Sequence, residues 1–147
     1  MYGKNCKKGK FYPKNKEKWL NPDKIIYRSS LELNYMRYFD LSPSVLRVSS
    51  EETVVPYIYS IDGKVHRYFL DFQITVKNKK GEIKTFLVEI KPKKFTTKPK
   101  LPKSGRKTKG FINEMTAWIK NSDKWEYAEK YAKQKGMQFI ILTEHDI

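Results

Sequence analysis

The chain has 147 residues, enough for one compact domain around a single core. Its 31 Lys and Arg against 16 Asp and Glu leave a formal net charge of +15. Such an excess repels itself unless a polyanion is near, so nucleic acid is the first partner to consider, with a basic ribosomal or structural protein as the alternative. Aromatics at 14% exclude a disordered basic tail. The single Cys6 excludes a disulfide framework or a cysteine-based zinc site within one chain, and a lone thiol suits a reducing compartment. No apolar run approaches the ~18 residues of a membrane span, and the first 18 residues lack the apolar stretch of a secretory signal. A cytoplasmic protein is the expectation.

Residues 1–26 are Lys-rich and carry Tyr2, Phe11, Tyr12 and Trp19, which reads as an irregular basic arm laid over the domain by its aromatics. The domain proper then covers 27–147. Residues 27–40 read as a helix with Leu31, Tyr35, Tyr38 and Phe39 at helical spacing and Ser29 or Ser30 as N-cap. Residues 53–60 are β-branched and aromatic, with Pro56 arguing for an edge or a bulge. Ile61-Asp62-Gly63-Lys64 is a hairpin turn. Residues 66–76 alternate, placing Tyr68, Leu70, Phe72, Ile74 and Val76 on one face, and after a turn at 78–81 residues 84–91 form a third strand. From 92 to 109 the chain is rich in Lys, Pro, Thr and Gly and reads as a mobile loop. Helical spacing returns at Phe111, Ile112, Met115, Trp118 and Ile119. Asn121-Ser122-Asp123 breaks and recaps it, and Trp125, Ala128, Tyr131 and Ala132 lead to a C-cap at Gly136. Residues 137–142 read as a buried strand. The order is α-β-β-β-α-β: an α/β sandwich on a mixed central sheet, without repeats or a second domain.

Alternation along Phe86-Leu87-Val88-Glu89-Ile90-Lys91 turns Glu89 and Lys91 to one face and Phe86, Val88 and Ile90 to the other. Pro92 holds Lys91 extended and ends the strand. Asp71 interrupts an apolar run on the neighbouring strand, opposite Leu70 and Phe72, so a favourable register sets it beside Glu89. Adjacent carboxylates are costly to bury unless a cation joins them, and Mg²⁺ or Mn²⁺ is suited to an all-oxygen set. Such an ion acidifies water and braces the charge that grows on a phosphodiester, while Lys91 supplies a compact cation. A solvated Glu-Lys pair is the plainer reading of the same spacing. Glu32 is ambiguous in the same way. Ser29-Ser30-Leu31-Glu32 is a capping box, yet Glu32, Met36 and Phe39 share a stripe that could aim the carboxylate at the sheet.

Taken together, Tyr27-Arg28-Ser29-Ser30-Leu31-Glu32, Val55-Pro56-Tyr57, Arg67-Tyr68-Phe69-Leu70-Asp71-Phe72, Glu89-Ile90-Lys91-Pro92-Lys93 and Ile141-Leu142-Thr143-Glu144 resemble the PD-(D/E)xK nuclease superfamily in its TnsA-like branch. The phage nucleases of head completion are closer still. The likeness runs from about Pro13 to the C-terminus and includes Asn113-Glu114 and 121–125. It implies a restriction-endonuclease-like fold and catalytic residues Glu32, Asp71, Glu89 and Lys91. The implied metal ligands are Glu32, Asp71, Glu89 and the Ile90 carbonyl. Leu70 departs from the family's motif proline, which shapes backbone and holds no metal. The implied role is metal-dependent cleavage of double-stranded DNA, with little sequence preference, during head completion and head–tail joining. Partners would be phage head or portal and neck proteins, with action in the host cytoplasm or on the virion. A non-catalytic DNA-end-binding head protein and a transposase endonuclease subunit are the alternatives.

The 92–109 loop follows Lys91 directly. Its Lys93, Lys94, Lys98, Arg106, Lys107 and Lys109, with Arg67 on the second strand, are the expected DNA-backbone contacts, sequence-neutral and salt-sensitive. No segment matches a phosphate-binding loop, so nucleotide hydrolysis is not expected. His66 and His145 lack ligand spacing. Glu51 is a supporting residue at most, and Trp118 and Trp125 fit core positions.

Overall fold

The computed structural model describes residues 8–147; Tyr2 and Cys6 lie outside the described residues. Two short strands, β1 (Gly9–Lys10) and β2 (Ile26–Tyr27), pair antiparallel ahead of helix α1 (Ser30–Leu41). Strands β3 (Val45–Ser50), β4 (Val54–Tyr59), β5 (Lys64–Phe69), β6 (Phe72–Lys77) and β7 (Ile83–Ile90) follow, then α2 (Lys109–Gln134) and β8 (Gln138–Leu142). The main sheet has the order β3-β6-β7-β8, with β8 parallel to β7 and the other pairs antiparallel. Thus α1, β3, β6, β7, α2 and β8 supply the expected α-β-β-β-α-β order on a mixed sheet. The β4–β5 hairpin is a separate two-stranded sheet inserted between β3 and β6.

Two strands therefore differ from the sequence expectation. Residues 53–60 form an arm of the inserted hairpin, and the first strand of the main sheet is β3. An extra residue at Leu46 shifts the β3–β6 register between Val45 and Arg47, so Val45 and Val48 are both buried although three apart. A bulge of this kind erases the period-2 signature. Residues 66–76, expected as one strand with one apolar face, split at Leu70–Asp71. Tyr68 and Leu70 pack toward α2 with Val55, Tyr57 and Leu87, whereas Phe72 and Ile74 pack toward α1 with Tyr35, Met36 and Phe39. The chain rotates between the two cores as it passes from the hairpin to the sheet.

The helices also adjust. Ser29 caps α1, accepting from the Glu32 amide at 3.1 Å, so Tyr27 lies before the helix in β2. Met36 is fully buried on its apolar stripe, whereas Tyr38 is 53% exposed. Helix α2 runs unbroken through 121–123, because Asp123 does not cap locally. Its carboxylate accepts from the Ser60 amide and hydroxyl, both at 2.8 Å, and ties the helix to the hairpin tip. At its end Gly136, with φ of 72°, lets Met137 N–H reach the Ala132 carbonyl and its own N–H reach Lys133, a Schellman closure. As the sheet's outer strand, β8 is half-buried rather than fully buried.

Of the N-terminal aromatics described, Phe11 and Trp19 lie on the domain, whereas Tyr12 is 75% exposed. Phe11 and Trp19, with rings 5.3 Å apart, join Ile25 in the α1-side core. The buried Asp40 fixes them: its carboxylate accepts from the Lys14 amide at 2.8 Å, the Asn15 amide at 3.1 Å and the Trp19 indole at 3.1 Å. Asp40→Ala would strip three donors of their acceptor at once, at a cost of about 3 kcal/mol. We expect a fall in melting temperature of roughly 6–12 °C for a chain of this size, measured by calorimetry; an unchanged transition would show that this clasp contributes nothing.

Candidate active site

The site forms where the hairpin leaves the sheet. The β6–β7 ladder ends at Phe72 opposite Val88. The next partner of Ile90 would be residue 70, but Leu70 N–H donates to the Thr53 carbonyl on the hairpin side at 3.0 Å. The Asp71 side chain takes over, its Oδ2 accepting from Ile90 N–H at 2.7 Å. On the facing chain Glu51, with φ of 55°, donates its N–H to the Asp71 carbonyl at 3.2 Å. Asp71 is thereby fixed through both side chain and backbone.

Glu89, 6% exposed, lies on the α2 side of β7 next to Leu87, while Val88 and Ile90 fill the opposite core. Its carboxylate lies within hydrogen-bonding reach of Asp71. Burial first, and then Glu89, hold the Asp71 carboxyl well above the usual carboxylate range, with Glu32 adding to the effect. Lys91 Nζ stands 3.9 Å from Glu89 Oε2. The structure thus brings Asp71, Glu89 and Lys91 together.

Glu32 comes close from the N-terminus of α1. Its carboxylate is buried and accepts from the Arg28 amide at 3.0 Å and lies 3.4 Å from the Ser29 hydroxyl, both through Oε2. This is a capping box displaced by one residue, since the reciprocal bond falls on Arg28 rather than Ser29. Burial raises its pKa, partly opposed by the Arg28 amide, and Glu51 raises it further. Glu51 itself carries an ion pair with Arg28 at 2.9 Å. Among the described residues, no three Asp, Glu, His or Cys side chains converge tightly enough to enclose an ion.

Two residues on α2 join the site that sequence reading did not assign to it. Trp125 donates its indole N–H to Glu89 Oε2 at 3.5 Å. Lys124 lies with its Nζ 5.3 Å from the Tyr68 ring centroid, and burial lowers its pKa, with Glu89 opposing. The Tyr68 hydroxyl is buried beside Glu89 and Trp125 yet has no hydrogen-bond partner among the described residues. Lys124 and Trp125 both lie within 121–125, a segment of the family likeness, and that was the available signal; an apolar-stripe reading of α2 absorbs it.

The basic residues are distributed more widely. Lys93, Lys94, Lys98, Arg106, Lys107 and Lys109 are all exposed along the connection that leaves Lys91 and enters α2. Lys93 opens a short 3-10 turn (Lys93–Phe95), with its amide held by Glu144 at 2.7 Å. Arg67 stands apart on the hairpin, its guanidinium 5.7 Å from the Phe69 ring. His66 bonds Asp62 at 2.7 Å on the surface, and Glu114 is exposed.

A family model for the TnsA-like endonuclease N-terminal domain matches residues 42–144, which span β3 to the end of the fold and hold Asp71, Glu89 and Lys91. The chain belongs to the TnsA-like endonuclease family. It is also 40% identical over 139 residues to the head completion nuclease of Enterobacteria phage T4, covering 92% of this chain and 90% of that protein. Glu32 precedes the family match, and its charge acts on Asp71. The four-stranded mixed sheet between two helices accords with this endonuclease family.

The carboxylate pair has a measurable consequence. A carboxyl whose folded pKa is raised contributes stability that is present below its unfolded pKa of ~3.9 and lost as pH rises toward the folded value. Asp71→Asn keeps an acceptor for Ile90 N–H but removes the charge. In chelator, its melting temperature relative to the natural protein should therefore be higher at pH 7 than at pH 4, read by scanning fluorimetry. The opposite ordering would contradict the carboxylate conflict.

Proposed function

We propose that this chain is a divalent-metal-dependent DNA nuclease of phage head completion, working with low sequence preference on packaged DNA in the host cytoplasm or on the virion. The nuclease class follows from the family. The juxtaposition of Asp71 and Glu89 supports the metal dependence: two carboxylates share one desolvated space, and their mutual repulsion asks for a cation. The donor set is all oxygen, which fits Mg²⁺ or Mn²⁺. Mg²⁺ commonly takes one or two carboxylates and fills its shell with waters and substrate phosphate. Asp71 and Glu89 would hold it, with the Ile90 carbonyl and Glu32 in support, and the buried Tyr68 hydroxyl beside Glu89 would offer a further polar group. When bound, such an ion acidifies a water and neutralises charge on the scissile phosphate.

The chain's own groups do the remaining work. Lys91 places an ammonium beside Glu89, where it can hold the attacking water or the non-bridging phosphate oxygen as charge builds. Lys124 adds a second ammonium from the helix side. Trp125 fixes the Glu89 rotamer through its indole N–H. The exposed Lys and Arg of 92–109 grip the backbone on either side of the cut, and this charge-only contact explains low sequence preference. The functional unit in this reading is 27–147, with the preceding basic arm adding charge and covering the α1-side core. The role in head completion rests on the name of the T4 relative, and head or portal and neck proteins are the partners that such a role would call for.

Glu89→Ala and Lys91→Ala should each reduce cleavage of plasmid and linear DNA in Mg²⁺ or Mn²⁺ by at least about 100-fold. Duplex binding in EDTA should stay near that of the unaltered protein. Full cleavage in both variants would refute the assignment, and absence of cleavage by the unaltered protein with either ion would favour a DNA-end-binding structural protein. For the loop, the combined Lys98→Ala, Arg106→Ala and Lys107→Ala variant should flatten the slope of log binding constant against log salt by about 0.9 per charge removed. An unchanged slope would take the loop off the DNA.

A further inference from the structure

Between the 92–108 segment and the first turns of α2 lies a cavity of about 490 Å³, within the roughly 300–1,000 Å³ typical of sites for small organic groups. It is distinct from the carboxylate pair. The first half of α2 overhangs the sheet, since its fully buried residues, Ala128 and Ala132, all lie in the second half. Trp118 is therefore only half-buried and forms a wall of this cavity, with Phe95 opposite on the loop. Lys94, Lys98 and Lys100 line the same space, and Glu114 faces it from the helix. The Lys94 ammonium sits 4.7 Å from the Phe95 ring centroid, so cation and ring already share one wall. Trp118 packs edge-on against Trp125 at 6.1 Å, and Trp125 bonds Glu89, so the cavity wall is continuous with the site.

An aromatic face ringed by ammonium groups recognises a planar base attached to phosphate. A base paired within the interior of a duplex cannot use it, because both of its faces are covered by its neighbours in the stack. An unpaired nucleotide can, and a carboxylate such as Glu114 is an acceptor for an exocyclic amine. We propose that the cavity takes an unpaired nucleotide from a frayed or single-stranded DNA end, its base stacked on Trp118 and its phosphates on Lys94, Lys98 and Lys100. This rests on the nuclease reading and refines it: the substrate would be an end or a junction with single-stranded DNA rather than the interior of a duplex.

The test is fluorescence anisotropy in EDTA with two labelled probes, a blunt duplex and the same duplex bearing a short oligodeoxycytidine tail at either end. The full chain should bind a tailed probe more tightly. Trp118→Ala and Phe95→Ala should each weaken tailed binding at least about fivefold while changing blunt binding less than about twofold. Equal losses on both probes, or a tail preference kept in both variants, would overturn the inference and leave the cavity to another occupant such as an acidic protein segment. Should Trp118→Ala fail to fold by circular dichroism, Phe95→Ala, altered at an exposed position, decides the matter on the same criterion. Because binding is read without metal, the two readings fail separately. Tail preference without cleavage sinks the nuclease reading, and cleavage without tail preference sinks this one.

Discussion

The site depends on one backbone amide. Ile90 N–H stands at the point where β7 outlasts its partner, because the neighbouring chain has turned away at Leu70 to join the hairpin. A buried amide left without an acceptor costs about 1–3 kcal/mol, and the Asp71 carboxylate meets that demand at 2.7 Å. The same bond that completes the sheet therefore draws an acidic group into the gap beside Glu89. The left-handed Glu51 on the facing chain lets both strands bend together, and its amide holds Asp71 from the other side. Fold and site share this junction: straightening 66–76 into one strand would return residue 70 to Ile90 and leave Asp71 without its place.

What the junction assembles is unfavourable by itself. Asp71 and Glu89 face one another in a desolvated space, with Glu32 and Glu51 adding to the negative field. The surrounding cations are arranged as partial compensation. Lys91 lies 3.9 Å from Glu89, Arg28 engages Glu51 at 2.9 Å, and Lys124 remains close enough for Glu89 to oppose its desolvation. The rest of the molecule is correspondingly firm around this spot, with two separate apolar cores gripping β7 from both faces through Val88 and Ile90 on one side and Leu87 on the other. Rigid flanks allow the carboxylates to be held together against their repulsion, which prepares them for a cation rather than relaxing them apart.

Legibility in the sequence followed the range of the interactions. Glu89 and Lys91 could be placed on one face because strand alternation is a local rule, and both turns declared themselves through Gly63 and Gly81. The order of layers emerged from the same periodicities. Strand β3 escaped because its bulge sets Val45 and Val48 three apart, a spacing that belongs to neither a regular strand nor a convincing helix. The break inside 66–76 escaped because alternation counts residues and is blind to a rotation between cores. Asn121-Ser122-Asp123 suggested a helix end by propensity, but Asp123 finds its partner at Ser60, 63 positions away. Lys124, Trp125 and Asp40 owe their roles to contacts of the same long-range kind.

Glu32 shows how a capping residue and a site residue can be one. Its cap contacts both fall on Oε2, which accepts from Arg28 and approaches Ser29. A carboxylate has two oxygens and about four acceptor directions, so a cap of this form occupies one oxygen and orients the other. Burial meanwhile makes the charged form costly, and Arg28, which donates the capping amide, also pairs with Glu51 through its side chain. Within the proposed site, the cap is then what fixes Glu32 at the distance where Asp71 feels its charge. Losing the cap would release the side chain and fray the first turn of α1 together. That coupling explains why a Ser-x-x-Glu sequence, which by itself reads as helix initiation, sits at the N-terminal end of the helix nearest the carboxylate pair.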